Sequence, residues 1–101
     1  MKIWVDDIRE KPEDYDIWIH STNECIDYIV KHRWEIDLLD LDHDAGDFYK
    51  DGGDYIKILD WLEEKRIALP IRIHSGNPVG INNMYRIIKK NHWVLVEYIY
   101  D

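Results

Sequence analysis

The chain has 101 residues, a formal net charge of −8 and an apolar content of 46%, which predict one soluble globular domain over residues 1–101. The acidic charge argues against long nucleic acid as a partner, and no apolar run reaches the roughly 18 residues of a membrane span. Because Cys25 is the single cysteine, an internal disulfide is excluded and a reducing, cytoplasmic setting is expected.

The first part of the chain alternates short apolar runs with one helical pattern. Two strands are predicted, at Met1–Val5 and Asp16–His20. A capping box that begins at Ser21 starts a helix to about Arg33, because apolar residues then recur at helical spacing. A third strand, Glu35–Leu41, follows this helix and leads into a second acidic stretch.

The second part of the chain begins with a polar loop from His43 to Gly53. Asp54 can cap the next helix, which ends near Arg66. The remaining predicted elements are the strand Leu69–His74, a helix that carries Ile81, Met84, Ile87 and Ile88 and ends near Asn91, and the strand Trp93–Tyr98.

This order of elements predicts a compact α/β fold, with a mostly parallel five-stranded sheet and helices on both faces. The connection between the first two strands, about Asp7–Tyr15, is shorter than a usual helical crossover. We therefore expect the first crossover helix to be reduced or missing. Right-handed crossovers bring the carboxyl ends of the strands to one edge, where open α/β sheets bind ligands.

Three acids are expected to meet at this edge. Asp6 and Asp7 follow the first strand, and Asp42 follows the third. Like charges placed so close together favour a cation that offsets their repulsion, and oxygen ligands suit Mg²⁺ or another divalent cation. The sequence leaves open whether Asp44 is a further metal ligand.

Two histidines end different strands at the same edge, His43 and His74. Hydrolysis of a phosphodiester needs one group that takes a proton from water and one that protonates the leaving oxygen. Histidine suits both tasks near neutral pH, so both are candidate catalytic residues. By contrast, His20, His32 and His92 are interpreted as structural residues.

The segment after His74 suits an anion. A helix N-terminus follows it, and the Ser75 hydroxyl and the Asn77 amide would add donors. Arg9 could clamp a phosphate. The alternative is that Asn77 and Pro78 form an ordinary helix start and that Arg9 pairs with a surface carboxylate.

The layout of these motifs resembles the receiver domains of response regulators, which have a flavodoxin-like fold. Asp6 and Asp7 resemble their acidic metal pair, and Asp42 resembles their phosphoacceptor. Ser75 resembles their Ser/Thr switch residue. Receiver domains also carry a lysine at the end of the last strand. Here no lysine follows Lys90, which argues against phosphoacceptor signalling.

The chain is more similar to the cyclic-phosphate processing receiver domains. The matching motifs are Trp4–Arg9, Leu41–Asp44, Gly53–Asp54, His74–Gly80 and Asn83–Met84. The resemblance implies an active site built from the two histidine motifs and the acids, and it adds Asn83 to the candidate substrate-binding residues. It also implies activity on a cyclic phosphate of a nucleotide or a nucleotide-derived ligand.

The predicted function is a metal-dependent phosphoesterase that opens a cyclic phosphodiester on a small nucleotide-like molecule. The cation would lie at Asp6, Asp7 and Asp42, and Asp42 would join His43 and His74 in catalysis. A covalent phosphate on Asp42 is an alternative step. Two other functions stay open: a non-catalytic cyclic-nucleotide sensor or sponge, and a degenerate pseudo-receiver that acts by protein contacts. No membrane partner is expected, and the sequence does not determine the oligomeric state.

Overall fold

A computed structural model describes residues 1–97 of the chain. The strands are β1 (Lys2–Val5), β2 (Ile17–Ile19), β3 (Leu38–Leu41) and β4 (Ile71–Ile73). The helices are α1 (Thr22–His32), α2 (Ile56–Lys65) and α3 (Pro78–Lys90), with 3₁₀ segments at Arg33–Glu35 and Gly46–Asp51. Within this part of the chain, no helix combines the length and the apolar character that crossing a bilayer requires.

The strands form one parallel sheet in the order β2-β1-β3-β4. Val5 pairs with Ile19 on one side and with Leu41 on the other, and Leu41 pairs with Ile73. The last residues of all the strands therefore lie side by side. The predicted α/β fold with a mostly parallel sheet is confirmed, and the residues that follow β1, β3 and β4 reach one edge.

All of the helices in residues 1–97 pack on one face of this sheet. Ile3, Leu39 and Ile71 share one buried cluster with side chains from each helix, among them Cys25 in α1, Leu59 in α2 and Met84 in α3. The prediction of helices on both faces is therefore wrong. The physical reason is that the connection between β1 and β2 contains no helix, and no helix follows α3 before residue 97.

A loop covers the opposite face of the sheet. Tyr15, in the loop between β1 and β2, packs edge-on against Trp4, with 5.3 Å between the ring centroids. Leu38 completes this small buried cluster, and Trp18 and Val96 pack against it. The expected loss of the first crossover helix is confirmed, and aromatic side chains take the place of that helix.

After α3 the chain returns to β4 but forms only one isolated bridge. Leu95 pairs in parallel with Ile71; the Ile71 amide donates to the Val94 carbonyl and the Val96 amide donates to the Ile71 carbonyl. The five-stranded sheet predicted from the sequence thus has four strands and this bridge within residues 1–97. The predicted strand Trp93–Tyr98 ends at a residue outside the described part of the chain.

The starts of the helices differ in how well the sequence predicts them. Ser21 caps α1 and accepts a hydrogen bond from a backbone amide at 3.1 Å, as predicted. Asp54 does not cap α2, because its carboxylate instead accepts from the Ala45 amide at 2.9 Å. α3 begins at Pro78, with Asn77 as its cap, and so starts before the first apolar residue of its periodic pattern.

Candidate functional site

Three carboxylates meet where β1 and β3 end. Asp6, Asp7 and Asp42 each offer an oxygen, and these oxygens lie within 4.8 Å of one another. Gly46 brings the backbone of the following loop against them: a Cβ at this position would lie 2.2 Å from Asp7 Oδ2, and its φ is 53°. A side chain would be excluded by both conditions. The structure therefore brings together the acids predicted from the sequence.

The surroundings of Asp7 and Asp42 favour the protonated forms of these two acids. Burial raises the pKa of Asp7, and the charges of Asp6 and Asp42 raise it further. Burial also raises the pKa of Asp42, and the charge of Asp6 adds to this effect, whereas hydrogen bonds from the His43 amide and the Ser75 hydroxyl oppose it. Reducing the negative charge of this cluster, by a proton or by a cation, therefore stabilises it.

The donor set fits a divalent cation, because carboxylate oxygens are ligands that Mg²⁺ prefers. A second group of close ligand atoms in residues 1–97 consists of His43, Asp44 and Asp54. Asp44 belongs to this second group and not to the cluster of three acids. The choice of Asp6, Asp7 and Asp42 as metal ligands stays a prediction.

Protein donors hold the carboxylate of Asp6 on both of its oxygens. Oδ1 accepts hydrogen bonds from the backbone amides of Ile8 and Arg9, at 3.0 and 2.7 Å. Oδ2 accepts one from His74 Nε2 at 2.8 Å. Each carboxylate oxygen has two lone pairs. These three bonds use both lone pairs of Oδ1 and one of Oδ2, so one acceptor position remains on Oδ2. The orientation of this carboxylate is thus set before any ligand binds.

His74 lies inside a closed network. Its ring stacks on Trp4, with 3.5 Å between centroids and 6° between planes. Nδ1 lies 2.7 Å from Asp40 Oδ1, and Nε2 lies 2.8 Å from Asp6 Oδ2. Ionised carboxylates only accept hydrogen bonds; with both carboxylates ionised, both ring nitrogens donate and the ring then carries a positive charge. In this arrangement His74, which is 8% exposed, offers neither ring nitrogen to a ligand.

Asp40, in the middle of β3, is a site residue that reasoning from the sequence missed. Its fully buried carboxylate accepts hydrogen bonds from the Tyr15 hydroxyl and from His74, with Arg72 4.0 Å away. Burial, followed by the bond to Asp40, raises the pKa of Tyr15 to about 12, so the hydroxyl stays a donor. The sequence does contain a signal for Asp40, which is an acid inside the apolar strand Leu38–Leu41. An acid in a buried strand needs hydrogen-bond or charged partners, so its position indicates a buried polar network.

His43 lies on the more open side of the site. Its Nδ1 is 2.7 Å from the exposed carboxylate of Asp44 and 3.5 Å from the side-chain amide of Asn77. The carboxylate accepts a hydrogen bond from Nδ1–H, and in the neutral ring Nε2 is then an acceptor. No residue in the range 1–97 bonds to this Nε2. Gly80 makes room for the ring, since a Cβ there would lie 2.4 Å from His43 Cγ.

The turn between β4 and α3 is held by its own side chains. Ser75 Oγ accepts from the Asn77 amide at 3.1 Å, and Asn77 Oδ1 accepts from the Gly80 amide at 3.0 Å. Asn77 Nδ2 donates to Asp44 at 3.2 Å, which joins the helix start to the His43 motif. Asn77 and Pro78 do form an ordinary helix start. Whether Ser75 and Asn77 also bind an anion stays a prediction.

Arg9 lies beside the same turn, because a Cβ at Gly76 would be 3.7 Å from Arg9 Nη2. Arg9 is exposed and forms no ion pair with any residue of the range 1–97. Its guanidinium is therefore accessible to an anion. Asn83 is exposed on α3, and no hydrogen bond joins its side chain to the site within the described chain. Its role in substrate binding also stays a prediction.

A comparison with known proteins agrees with this geometry. The family model of the cyclic-phosphate processing receiver domain matches residues 1–90, from the start of β1 to the end of α3. This range contains every candidate site residue named above. No curated protein and no solved structure shows a significant match to the chain. The chain belongs to the family of cyclic-phosphate processing receiver domains.

Proposed function

We propose that the protein is a metal-dependent phosphoesterase that opens the cyclic phosphodiester of a small nucleotide or nucleotide-derived molecule. One observation carries this proposal: three close carboxylates lie beside a histidine whose Nε2 has no partner in residues 1–97. The three carboxylates suit a divalent cation, and the histidine suits proton transfer. Membership of the family supports a cyclic phosphate as the ligand.

Binding of the phosphate would depend on the positive groups around the turn before α3. The chain has a net charge of −8, so a phosphate needs local positive charge to approach it. The Arg9 guanidinium lies beside Gly76, and the 13-residue helix α3 directs the positive end of its dipole towards this turn. A divalent cation bound by the three acids would polarise a phosphoryl oxygen.

Opening the ring requires one proton to move. The oxygen of water bonds to phosphorus, one ring P–O ester bond breaks, and the leaving oxygen receives the proton that water loses. We assign this transfer to His43, because its Nδ1–H donates to Asp44 and Nε2 of the neutral ring can accept a proton. Asp42 would act as a cation ligand in this scheme. His74 would share proton transfer only after release from Asp6 or Asp40.

A screen of cyclic-phosphate compounds, with and without Mg²⁺, tests this function. Phosphorus NMR distinguishes a cyclic phosphodiester from its ring-opened monoester. We expect ring opening of at least one nucleotide-like compound, dependent on the cation and lost in Asp42→Asn. An Asp47→Asn variant, which changes an exposed acid of the neighbouring loop, should retain activity. Ring opening that is equally fast with a chelator present, or in Asp42→Asn, would contradict the proposal.

A non-catalytic sensor is the second candidate function, and the network of His74 favours it. One of the two histidines predicted to transfer protons already donates both ring N–H groups to carboxylates. A site with a single available imidazole could hold a cyclic phosphate without opening it. The same screen separates these functions: ligand-dependent chemical-shift changes without product at any pH would favour the sensor.

A further inference from the structure

We infer that Asp40 is a positioning residue, which fixes the carboxylate of Asp6 towards its ligand by acting through the ring of His74. The inference rests on the proposed function only in taking that ligand to be a divalent cation. It concerns a chain of contacts that runs from the loop-covered face of the sheet to the edge where the acids meet. The members of this chain are Tyr15, Asp40, His74 and Asp6.

Burying the carboxylate of Asp40 costs free energy, so packing alone does not explain this residue. Its side chain is fully buried in the middle of β3, between apolar neighbours. Removing a carboxylate from water costs several kcal/mol of free energy. Well-oriented hydrogen bonds and opposite charges offset this cost but add little net stability. An apolar residue at this position would pack without that cost. The partners of Asp40 therefore point to a task other than packing.

The contacts show what that task is. Stacking on Trp4 fixes the plane of the His74 ring but does not decide which nitrogen faces which carboxylate. The bond from Nδ1 to Asp40 makes that decision and directs Nε2 towards Asp6 Oδ2. The Tyr15 hydroxyl holds the second oxygen of Asp40, so the carboxylate cannot turn away.

Charge gives Asp40 a second effect on Asp6. His74 donates from both nitrogens and so carries one positive charge, which a lone Asp6 would neutralise. Because Asp40 accepts from the same ring, that positive charge is shared between two carboxylates, although Arg72, 4.0 Å from Asp40, offsets part of the Asp40 charge. Asp6 therefore keeps more of its negative charge for a cation. Groups bonded directly to a metal ligand typically affect metal affinity about 10–100-fold, and Asp40 acts on the ligand Asp6 one contact further away, through His74.

Asp40→Asn tests the inference by calorimetric titration with Mg²⁺ and Mn²⁺. The variant removes one negative charge and cannot accept from both Tyr15 and His74. We expect the affinity for both cations to fall roughly 10-fold, the lower end of the range for direct partners of a metal ligand. The matched control is Asp37→Asn, the same chemical change at an 82% exposed side chain paired with the N-terminal amine. The control should leave the affinity unchanged, and an equal loss in both variants would overturn the inference.

A second readout does not depend on a cation. In the metal-free protein, proton NMR of nitrogen-labelled samples should show two slowly exchanging ring N–H signals from His74. Asp40→Asn should perturb both signals, since the bond of Nε2 to Asp6 depends on that of Nδ1. If Asp40 acted only in folding, stability would fall while the cation affinity and the Nε2–H signal stayed those of the parent. That result would overturn the inference.

Tyr15→Phe covers the case in which Asp40→Asn does not fold, since it removes only the hydroxyl. It should weaken cation binding less than Asp40→Asn, and in the double variant the two losses should not add. Full additivity would show that Tyr15 acts independently and would overturn the chain of contacts. A parent protein that binds no divalent cation would refute the proposed metal site, and the two N–H signals would then decide the role of Asp40.

Discussion

The two histidines of the site have the same chemistry but opposite surroundings. His74 is almost fully buried, stacked on Trp4 and bonded through both nitrogens to carboxylates. His43 bonds through one nitrogen to the exposed Asp44, and its other nitrogen has no hydrogen-bond partner in residues 1–97. From the sequence alone the two histidines receive the same predicted role, because both follow a strand at the same edge.

The difference teaches that partners, and not residue type, decide what an imidazole does. A ring held between two buried carboxylates acts as a fixed cation, which stabilises acids that would otherwise repel each other. A ring with one oriented nitrogen and one free nitrogen suits proton transfer. We therefore expect loss of His74 to act first on folding and on Asp6, and loss of His43 to act first on turnover.

The largest expected effect is on stability, from His74→Ala. The substitution leaves Asp6 and Asp40 buried without their shared donor. We expect a loss of roughly 3–5 kcal/mol in the free energy of unfolding, as when one partner of a buried ion pair is removed. Urea unfolding followed by circular dichroism measures this loss. His43→Ala should lose about 1 kcal/mol or less, and equal losses in the two variants would contradict the comparison.

His43→Ala should have a large effect on turnover in a protein that still folds. Loss of a proton-transfer group should slow ring opening by roughly 10²–10⁴-fold, whereas affinity for the cyclic phosphate should change far less. Phosphorus NMR gives the rate, and titration monitored by chemical shifts gives the affinity. His32→Ala, at the far end of α1, serves as the control. Unchanged turnover in His43→Ala would remove this residue from the mechanism.

Gly80→Ala tests the position of His43 without removing its ring. The added Cβ would lie 2.4 Å from His43 Cγ, so the ring must move. Displacement of about 1 Å can slow a reaction by up to ~100-fold. Stability should change by about 2 kcal/mol or less, because helix propensity offsets part of the overpacking. Val79→Ala, at a 70% exposed neighbour, should not affect turnover; an active Gly80→Ala would show that this contact is unimportant.

A smaller effect is expected on the metal-free protein from Asp42→Asn. The pKa of Asp42 is raised in the folded state, so its ionisation opposes folding as pH rises through that raised value. Removing the charge should increase stability by ~1 kcal/mol at most near neutral pH, with no gain in acid, where the parent carboxyl is protonated. Unfolding at several pH values checks this sign. Calorimetry should show that Mg²⁺ binding is lost, and equal affinity would contradict the metal site.

The last expectation is that no change will be seen: Asp42 should not carry a stable phosphate. The receiver resemblance would make Asp42 a phosphoacceptor, but receivers supply a lysine, and no lysine follows Lys90 in this chain. Among residues 1–97 the cation that affects the pKa of Asp42 is His74, which is already bonded to Asp6 and Asp40. Intact mass after treatment with a small phosphodonor and Mg²⁺ should show no stable adduct. Near-complete addition of one phosphate would refute this expectation.

Much of the fold and of the site could be predicted because the signals are local. Alternating apolar runs and helical periodicity indicate a parallel sheet, and such a sheet brings strand ends to one edge. The meeting of Asp6, Asp7 and Asp42 follows from this rule, and the structure confirms it. The missing first crossover helix also follows from a local quantity, the length of the connection.

Other features could not be predicted, because they depend on contacts between segments that are distant in the sequence. The helices pack on one face, and a periodic pattern does not say which face of a sheet a helix will cover. Asp54 bonds to the Ala45 amide and not to α2, because the loop folds back on itself. The fit of the His43 ring against Gly80 likewise joins two distant segments of the chain.

The sequence by itself determined the parallel α/β fold, the acidic edge and the placement of both histidines there, because strand order and alternation fix which residues reach an edge. Only the tertiary structure decided that His74 is a buried donor and that His43 keeps a free nitrogen. It also revealed Asp40, whose partner Tyr15 comes from the loop that replaces a helix. The physical reason is that burial and hydrogen-bond partners arise from packing between distant segments, and these set the charge and the availability of each group.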